Sequence, residues 1–323
     1  MDRKVLAACL DKTLQNMDES LLREAGVEPR SLIRGKVRDI LDYGDKLLIL
    51  ATDRISAFDI VLATIPCKGE VLNRISLFWF EQTKDIIQNH VLDQLSPRSV
   101  LAKKCSVLPI EVVIRGYITG SAWRSYKEDE TVSGIRLKSG LRLNEKLAKP
   151  LLTPSTKEEK GHHDLPISRE QIIAQQVVPE QVWNQVEQAA HELYRRGSEI
   201  VGRQGLILVD TKYEFGLADG ELYLIDEIHT PDSSRFWYAD SYRDLFSSGK
   251  NQRELDKEYF RRWLMDRGYM GEGEPPTITD GIRIEVAERY IGAFEEITGE
   301  VFVPAGLAAV DEAHTIANNF KQH

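Results

Sequence analysis

Charged side chains alternate along one strand-like segment in the second half of the chain. Asp210, Lys212 and Glu214 occupy every second position, directly after the apolar run at residues 206–209. Because a β-strand sends successive side chains to opposite faces, this spacing places two carboxylates and one ammonium on one face. Such groups bind phosphates and divalent cations, so this segment is the first candidate for a catalytic site.

A hairpin signal follows the alternating segment. Asp219 and Gly220 favour a tight turn into a return strand that delivers Asp226. A two-residue turn would pair Tyr213 with Asp226, on the face opposite Glu214. A loop of three residues would instead pair Glu214 with Asp226. The sequence leaves both registers open.

Two carboxylates opposed across a hairpin repel each other unless a cation lies between them. Mg²⁺ prefers oxygen ligands and usually binds through one or two carboxylates plus substrate phosphates. We therefore interpret Glu214 and Asp226 as a magnesium site. The alternative is a solvated outer face of an edge hairpin.

A second basic group lies near the N-terminus. Lys36 and Arg38 alternate along a predicted hairpin strand that follows Gly35, where backbone can approach a ligand closely. This combination suits phosphate oxygens, although a solvated basic face has the same pattern. In residues 53–59, two carboxylates flank a hydroxyl, which favours either ligand binding or a capping role. The chain has no Walker A loop and no intact G-x-G-x-x-G motif.

An arginine ends a further predicted strand. Residues 105–114 are rich in β-branched side chains, and Pro109 predicts an edge position beside a ligand. Arg115 then enters a Gly-x-x-x-Gly-Ser turn that ends at Ser121. A guanidinium beside such a turn is suited to bidentate binding of a carboxylate or phosphate. An ordinary domain-junction turn is the alternative.

A long polar segment at residues 151–168 shows no periodicity. Loops of this length are usually functional or disordered. His162, His163 and Asp164 suggest a transition-metal site, but no Cys or His supports them in the neighbouring sequence. A flexible active-site lid over residues 153–164 is therefore the favoured interpretation.

Composition limits the class of protein. The 323 residues are 42% hydrophobic and 29% charged, as in a globular protein of two or three domains. A net charge of −9 makes a nucleic-acid backbone an unfavourable partner. No apolar run reaches membrane-spanning length, so no membrane partner is expected. Three separated cysteines without a C-x-x-C pair predict reduced thiols and a cytoplasmic protein.

Helical periodicity is clearest in three places. Residues 72–87 carry an apolar stripe, Pro179 opens a second amphipathic segment, and further helices follow near the C-terminus. The chain therefore combines predicted helices with predicted strands.

Six motifs occur in an order and spacing typical of one known family. They are Gly35-Lys36-Val37-Arg38-Asp39, the loop at residues 53–59, Lys68-Gly69-Glu70-Val71-Leu72-Asn73, residues 115–121, residues 153–164 and residues 208–237. The sequence in this respect strongly resembles the phosphoribosylaminoimidazole-succinocarboxamide synthases, the SAICAR synthetase family of purine biosynthesis, in their longer single-function form. The resemblance covers most of the chain up to about Trp237.

The resemblance implies an ATP-dependent ligase. Such an enzyme joins L-aspartate to the carboxylate of carboxyaminoimidazole ribonucleotide and releases ADP and phosphate. It also implies a kinase-like N-terminal antiparallel sheet and an ATP-grasp-like α+β domain with nucleotide between them. We expect a sheet domain at residues 1–114, a central substrate and metal domain at residues 115–240, and helices at residues 241–323 that pack on the central domain.

The resemblance also implies roles for individual residues. ATP would be bound by Lys36, Arg38, Lys212 and Glu111, and Mg²⁺ by Glu214 and Asp226. The ribonucleotide would be bound by Arg115, Ser121, Asp232, Ser234 and Arg235. Aspartate and the lid would involve Lys157, His163 and Asp164. Lys212 and Asp210 are the catalytic candidates, with Asp210 as the base for the aspartate amine.

Two other functions fit the same residues. A small-molecule kinase would use the same Mg-ATP site without a second carboxylate-bearing substrate. A nucleotide sensor would bind ATP without turnover. Phosphate release that depends on aspartate distinguishes the ligase from both. The sequence makes no prediction of the oligomeric state.

Overall fold

The computed structural model describes residues 1–157, 165–255 and 258–323. The chain forms two compact units, each built from separate stretches of sequence. The first unit contains Met1–Phe78, His90–Lys104 and Asp256–His323, and the second contains Trp79–Asn89 and Cys105–Leu255.

The first unit is built on a five-stranded antiparallel sheet. Its strands, in the spatial order β1-β2-β3-β7-β6, are β1 (Ser31–Arg34), β2 (Arg38–Asp42), β3 (Lys46–Ala51), β7 (Ser99–Lys103) and β6 (Val91–Ser96). The β2–β3 turn contains Gly44 at a φ of 106°, as the sequence predicts for this hairpin. A smaller hairpin pairs β4 (Arg54–Ala57) with β5 (Ile60–Thr64).

Helices from both ends of the chain belong to the first unit. They are α1 (Arg3–Ala7), α2 (Glu19–Glu24), α8 (Glu258–Met265), α9 (Asp280–Thr298) and α10 (Ala309–Phe320), with a 3₁₀ turn at Leu10–Lys12. The buried residues of α10 include Ala313 and Ile316, which share a core cluster with Leu41, Leu48 and Leu50 of the sheet. Spacing by three and four residues gives α10 the apolar stripe that this sheet face buries.

The second unit is built on a six-stranded antiparallel sheet. The strands are β8 (Ser106–Tyr117), β11 (Lys146–Thr156), β12 (Leu206–Ala218), β13 (Glu221–Ile225), β14 (Ser234–Tyr238) and β15 (Glu254–Leu255). Their order is β11-β8-β12-β14-β15, and β13 also pairs with β12. Strand β12 therefore pairs with β8 on one edge, and with β14 and then β13 on the other.

The other elements of the second unit are mostly helical. They are α4 (Gly120–Asp129), the strand pair β9 (Thr131–Val132) and β10 (Ile135–Arg136), α5 (Arg169–Ala174), α6 (Glu180–Arg203) and α7 (Ala239–Ser247). Pro179 is the N-cap of α6, as predicted. Trp183, Val186, Ala190 and Leu193 form the buried stripe of α6, which packs on β12.

Helix α3 (Lys68–Thr83) contains the boundary between the two units, which falls after Phe78. The sequence predicts this helix four residues later, at residues 72–87. Within the described parts of the chain, no helix combines the length and apolarity needed to cross a membrane.

The compact units require a correction to the predicted domain boundaries. A division at residue 114 would cut β8, which pairs with β11 and β12 along one continuous strand. Residues 256–323 group with the first unit and not with the central region, because α10 supplies part of that unit's core. These contacts join segments far apart in sequence, which local patterns do not encode.

The edge position predicted from Pro109 is wrong. Strand β8 is interior, with β11 on one side and β12 on the other. The pairing with β12 shifts register between Glu214 and Gly216, and the pairing with β11 stops at Ile110. Pro109 therefore lies where neither ladder needs its missing N–H donor.

Candidate active site

One charged cluster surrounds the ammonium of Lys212 in the second unit. We call Glu111, Lys157, Lys212, Glu214 and Asp226 the lysine–carboxylate cluster. Lys212 Nζ donates to Glu214 Oε1 at 2.5 Å and lies 3.5 Å from Glu111 Oε2. It also lies 3.9 Å from Asp226 Oδ2. The alternating charges of the sequence thus share one face, as predicted.

The sheet positions these residues by register. Glu214 on β12 lies directly opposite Glu111 on β8. Two carboxylates in this position repel each other, and the ammonium of Lys212 lies within ion-pair distance of both. Sequence patterns reveal the Lys212–Glu214 spacing, but the opposition of Glu111 depends on pairing between strands about a hundred residues apart.

Asp226 reaches the cluster by leaving the strand. Ala218 pairs with Glu221, so Asp219 and Gly220 form the two-residue turn. Continuing this register would pair Asp226 with Tyr213 and direct its side chain to the face opposite Glu214. Strand β13 instead ends at Ile225, and Asp226 adopts a left-handed φ of 66°. The backbone change brings its carboxylate to Lys212.

Lys212 remains positively charged in this setting. Burial of the side chain works against its charged form, but attraction to Glu214, Asp226 and Glu111 outweighs burial and raises the pKa of Lys212 above its ordinary value. A fixed cation surrounded by carboxylates is suited to neutralising a phosphoryl group that enters the cluster.

The donor set fits magnesium chemically. Across residues 1–157, 165–255 and 258–323, no three or more His, Cys, Asp or Glu are arranged to hold a metal ion. Mg²⁺ nevertheless needs only one or two carboxylates when phosphates complete its coordination. The second oxygen of Glu214, Oε2, pairs with the ammonium of Lys157, so a cation already neutralises this position.

A second cluster joins two arginines through one carboxylate. We call Arg115, Asp210 and Arg235 the arginine–aspartate cluster. Arg235 binds Asp210 through two hydrogen bonds, Nε to Oδ1 at 2.9 Å and Nη2 to Oδ2 at 2.5 Å. Arg115 Nη1 donates to Asp210 Oδ2 at 3.1 Å. β12 lies between β8 and β14, so Asp210 is opposite Arg115 on one edge and Arg235 on the other.

The remaining donors of Arg115 have partners on two further elements. Nε donates to Thr153 Oγ1 at 3.0 Å and Nη2 to Ser121 Oγ at 3.3 Å. Burial lowers the pKa of Arg115, while Asp210 opposes this effect. The contact with Ser121 is consistent with the predicted turn, whereas the sequence gives no signal for Thr153.

Asp210 differs from its predicted role as a base. Its two oxygens accept three guanidinium hydrogen bonds, and the residue is buried. A carboxylate engaged in this way orients the two arginines.

Gly120 allows the guanidinium of Arg235 to lie against the start of α4. Its φ is 57°, and a Cβ atom built there would lie 2.4 Å from Arg235 Nη1. Any larger residue would both strain the backbone and displace the guanidinium. The Gly-x-x-x-Gly-Ser turn thus has a steric function in the cluster.

Asp232 and Ser234 lie in the sequence between Asp226 of one cluster and Arg235 of the other. The backbone N–H of Asp232 donates to Thr230 Oγ1, and Thr230 Oγ1 donates to the buried Glu227. Ser234 Oγ donates to Thr211 Oγ1 at 2.8 Å. Glu227 and Thr230 were not predicted from the sequence, because their contact lies within one loop and follows no strand or helix period.

The predicted phosphate-binding residues Lys36 and Arg38 lie in the first unit. Lys36 Nζ is 2.5 Å from Asp59 Oδ1, and both side chains are mostly exposed. Arg38 begins β2 and pairs with Ala51. The structure thus joins Lys36 to residues 53–59, of which Arg54–Ala57 form strand β4 and not a loop.

Asp53, directly before β4, has a structural role. Its carboxylate accepts from the backbone N–H groups of Leu14 and Gly69 and lies 2.6 Å from Arg98 Nη1. The residue is completely buried. Asp53 therefore has the capping role that was the alternative to ligand binding. Its ion-pair partner Arg98 was not predicted from the sequence.

The predicted lid lies only partly within the described residues. Residues 153–156 belong to β11 and pair with residues 110–113 of β8, so they are strand and not loop. Lys157 joins the lysine–carboxylate cluster. His163 and Asp164 lie outside the described residues.

Two larger antiparallel sheets with C-terminal helices confirm the predicted α+β class. A family model described as SAICAR synthetase matches residues 31–276, and the chain belongs to this family. A phosphoribosylaminoimidazole-succinocarboxamide synthase of Bacteroides thetaiotaomicron is 44% identical over 288 residues, which cover 88% of this chain and 92% of that protein. The relative of the same name from Azobacteroides pseudotrichonymphae is 48% identical over 284 residues, or 86% of this chain and 88% of the relative.

Solved structures lead to the same family. SAICAR synthase from Saccharomyces cerevisiae, complexed with SAICAR, is 35% identical with a TM-score of 0.75, and the match covers 85% of this chain and 96% of that chain. A SAICAR synthetase in complex with ADP shares the fold, with a TM-score of 0.66 and 24% identity over 85% of this chain and all of that one. The small-molecule kinase alternative is not favoured.

Proposed function

We propose that the second unit activates and captures the carboxylate of carboxyaminoimidazole ribonucleotide. The chain, as a SAICAR synthetase family member, is an ATP-dependent ligase of purine biosynthesis. The observation that carries the assignment to the second unit is the position of Asp210 and Lys212 on β12. These two residues centre the arginine–aspartate and lysine–carboxylate clusters, two positions apart on one strand face.

The chemistry explains why two clusters are needed. A carboxylate is a poor acyl donor, because oxide would have to leave. Transfer of the γ-phosphoryl group from ATP to a carboxylate oxygen gives ADP and an acyl phosphate. The aspartate amine then attacks the acyl carbon, loses a proton, and releases inorganic phosphate as the amide forms. The protein mainly positions these anions and neutralises their charge.

The lysine–carboxylate cluster is assigned to ATP. Lys212 contacts the phosphates and Glu111 lies towards the nucleoside, while Glu214 and Asp226 hold Mg²⁺. Held by these two carboxylates, Mg²⁺ would neutralise phosphate charge. Support comes from the raised pKa of Lys212, which keeps a permanent cation beside three carboxylates.

The arginine–aspartate cluster is assigned to the ribonucleotide. Arg115 and Arg235 bind its anionic groups, and Asp210 holds both guanidiniums in a fixed orientation. Ser121, Asp232 and Ser234 complete the binding residues. This assignment changes Asp210 from a base to a positioning residue, because its oxygens are occupied by arginine donors.

The remaining predictions stay as proposals. Lys36 and Arg38 bind ATP phosphates, and Lys157 contacts the aspartate substrate together with His163 and Asp164 of the adjoining segment. Support for Lys157 is its ammonium on Glu214, which places a cation for a dicarboxylic substrate within the cluster. The separated free thiols support a cytoplasmic location.

An assay with all three substrates tests the proposal. ADP and SAICAR should form in equal amounts, and both should require ATP, L-aspartate and the ribonucleotide. ADP formed at the full rate without aspartate would contradict the ligase and support the kinase. ATP binding without any turnover would support the sensor.

A further inference from the structure

The loop between β13 and β14, residues 226–233, is fixed at its centre by a buried histidine. His229 is fully buried, and its φ of 50° lies in the left-handed region. This conformation costs free energy for a residue with a side chain, so the surroundings must hold it. Asp226, in the same loop, is also left-handed.

Two aromatic side chains hold the imidazole of His229. Its Nε2 is 2.6 Å from the hydroxyl oxygen of Tyr213. The ring of Trp79 contacts it edge-on, with 4.6 Å between centroids. Tyr213 lies on β12 between Lys212 and Glu214 and is itself fully buried. The loop is therefore tied to the strand that carries both clusters.

Helix α6 restricts the same ring through a missing side chain. A Cβ atom on Gly197 would lie 2.4 Å from His229 Cε1 and 2.9 Å from Nδ1. Real Cβ atoms do not approach other atoms this closely, so only glycine at position 197 leaves space for the imidazole. The close approach explains a glycine inside a long helix, where it is otherwise unfavourable.

Burial determines the protonation state of His229. Burial lowers the pKa of His229 to about 3, so the imidazole is neutral near pH 7. Its Nδ1 is buried without a hydrogen-bond partner in the part of the chain that the structure describes. The ring is therefore neutral and held by its contacts with Tyr213 and Trp79.

We propose that His229 is a positioning residue that sets the path of the loop, and that Gly197 of α6 is a remote determinant of ribonucleotide binding through this ring. The inference rests on the proposed assignment of Asp232, Ser234 and Arg235 to the ribonucleotide. These residues lie three to six positions after His229, so a shift of the ring moves their approach to the site. Asp226 is less dependent on the ring, because Ile225 before it is paired with Glu214.

The first test removes the tyrosine hydroxyl. Tyr213→Phe keeps the buried ring and so keeps the packing, but it loses the contact with Nε2. We expect the ribonucleotide KM to rise by about threefold to tenfold, the effect of one lost hydrogen bond. The KM for ATP should change by less than about twofold, on the same scale. A merely structural role would lower the active fraction, and thus kcat, without changing either KM.

The second test approaches His229 from α6. Gly197→Ala should raise the ribonucleotide KM in the same way, because its methyl group displaces the imidazole. Gly202→Ala is the matched control, since Gly202 lies in the same helix with no atom within 4 Å of the added Cβ. Both substitutions increase helix propensity equally. Thermal unfolding of each variant reports whether the fold is retained.

The outcomes distinguish failure of the proposed function from failure of the positioning role of His229. Failure of the wild-type chain to form product would contradict the proposed function. Normal product formation with an unchanged ribonucleotide KM in Tyr213→Phe would overturn the positioning role alone. Should Gly197→Ala fail to fold, Tyr213→Phe decides the question by itself.

Discussion

Glu214 makes the clearest residue-scale contact in the molecule, because its two oxygens pair with two different lysines. Oε1 accepts from Lys212, and Oε2 pairs with Lys157. The spacing of Lys212 and Glu214 was predictable from strand periodicity alone. The contribution of Lys157 was not, because it arrives at the end of β11, two strands away in the sheet.

Replacing Glu214 tests the proposed metal site. Glu214→Gln keeps the size of the side chain but removes the charge, so the fold should remain while turnover falls by about a hundredfold or more. Turnover is measured as a function of Mg²⁺ concentration. Glu221→Gln, at an exposed position of the same hairpin, is the control. Near-normal turnover of Glu214→Gln at limiting Mg²⁺ would argue against the metal assignment.

Arg115 tests the separation of the two substrate sites. Arg115→Lys keeps the charge but loses the planar fork that contacts Asp210, Thr153 and Ser121. The KM for the ribonucleotide should rise roughly tenfold to a hundredfold, about 1.5–3 kcal/mol. The ATP constant should change much less.

The complementary variant is Lys36→Ala, for which the ATP constant should rise and the ribonucleotide constant should remain stable. Each constant is measured by titration with the other substrates saturating. Arg142→Lys, an exposed arginine of the second unit, serves as control. If Arg115→Lys raises only the ATP constant, the assignment of the clusters is reversed.

At the scale of elements, the hairpin of β12 and β13 follows the sequence pattern up to Ile225 and departs from it at Asp226. The Asp-Gly signal predicts the two-residue turn, and β13 follows its register up to Ile225. The same register would place Asp226 on the wrong face. Its left-handed conformation reverses that outcome, and a left-handed aspartate has no reliable sequence signal.

Gly120, at the start of α4, provides a prediction for an element terminus. Gly120→Ala should raise the ribonucleotide KM, because the new Cβ would lie 2.4 Å from Arg235 Nη1. Gly140→Ala is the matched control, since Gly140 also has a positive φ, 81°, but nothing lies within 4 Å of its Cβ. Both variants carry similar backbone strain, so only the contact with Arg235 differs.

Kinetic titration of both glycine variants checks this prediction. Equal ribonucleotide constants in Gly120→Ala and Gly140→Ala would show that backbone strain, and not the guanidinium contact, explains the effect.

At the scale of the whole molecule, the first unit combines the two ends of the chain. Local periodicity predicted the C-terminal helices, while the expected domain division placed residues 241–323 on the central domain. Their actual position depends on Glu312 as well as on apolar residues, because this buried carboxylate lies 3.4 Å from Arg98. Arg98 also pairs with Asp53 at 2.6 Å. Partners so distant in sequence are not visible in any local pattern.

Glu312 predicts a pH dependence of stability. Burial raises its pKa above the ordinary value of 4.5, and Asp53 and Glu70 add repulsion, while Arg98 and Ser96 oppose the shift. A raised folded-state pKa stabilises the protein below pH 4.5, and this contribution is lost as pH rises through the folded-state pKa. Glu312→Gln lacks this titration.

The free energy of unfolding, measured by urea denaturation at several pH values, checks the sign. Glu312→Gln should become more stable relative to the wild type as pH increases from about 4.5 towards neutrality. Glu300→Gln, at an exposed position, should show no such trend. A relative stability of Glu312→Gln that falls over this range would mean that the attraction of Arg98 exceeds the cost of burial.

Strand β12 makes the distance between the two clusters a property of the backbone. Asp210 and Lys212 are two positions apart, or about 6.4–6.8 Å along a strand. Both residues are paired with β8 on one edge, and the other edge is tied to Arg235 and Ser233. Neither Asp210 nor Lys212 can shift along the strand without breaking backbone hydrogen bonds to a neighbouring strand. The distance between the two clusters is therefore fixed. Under the proposed assignment, this fixed spacing sets the distance between the site for the ATP phosphates and the site for the ribonucleotide.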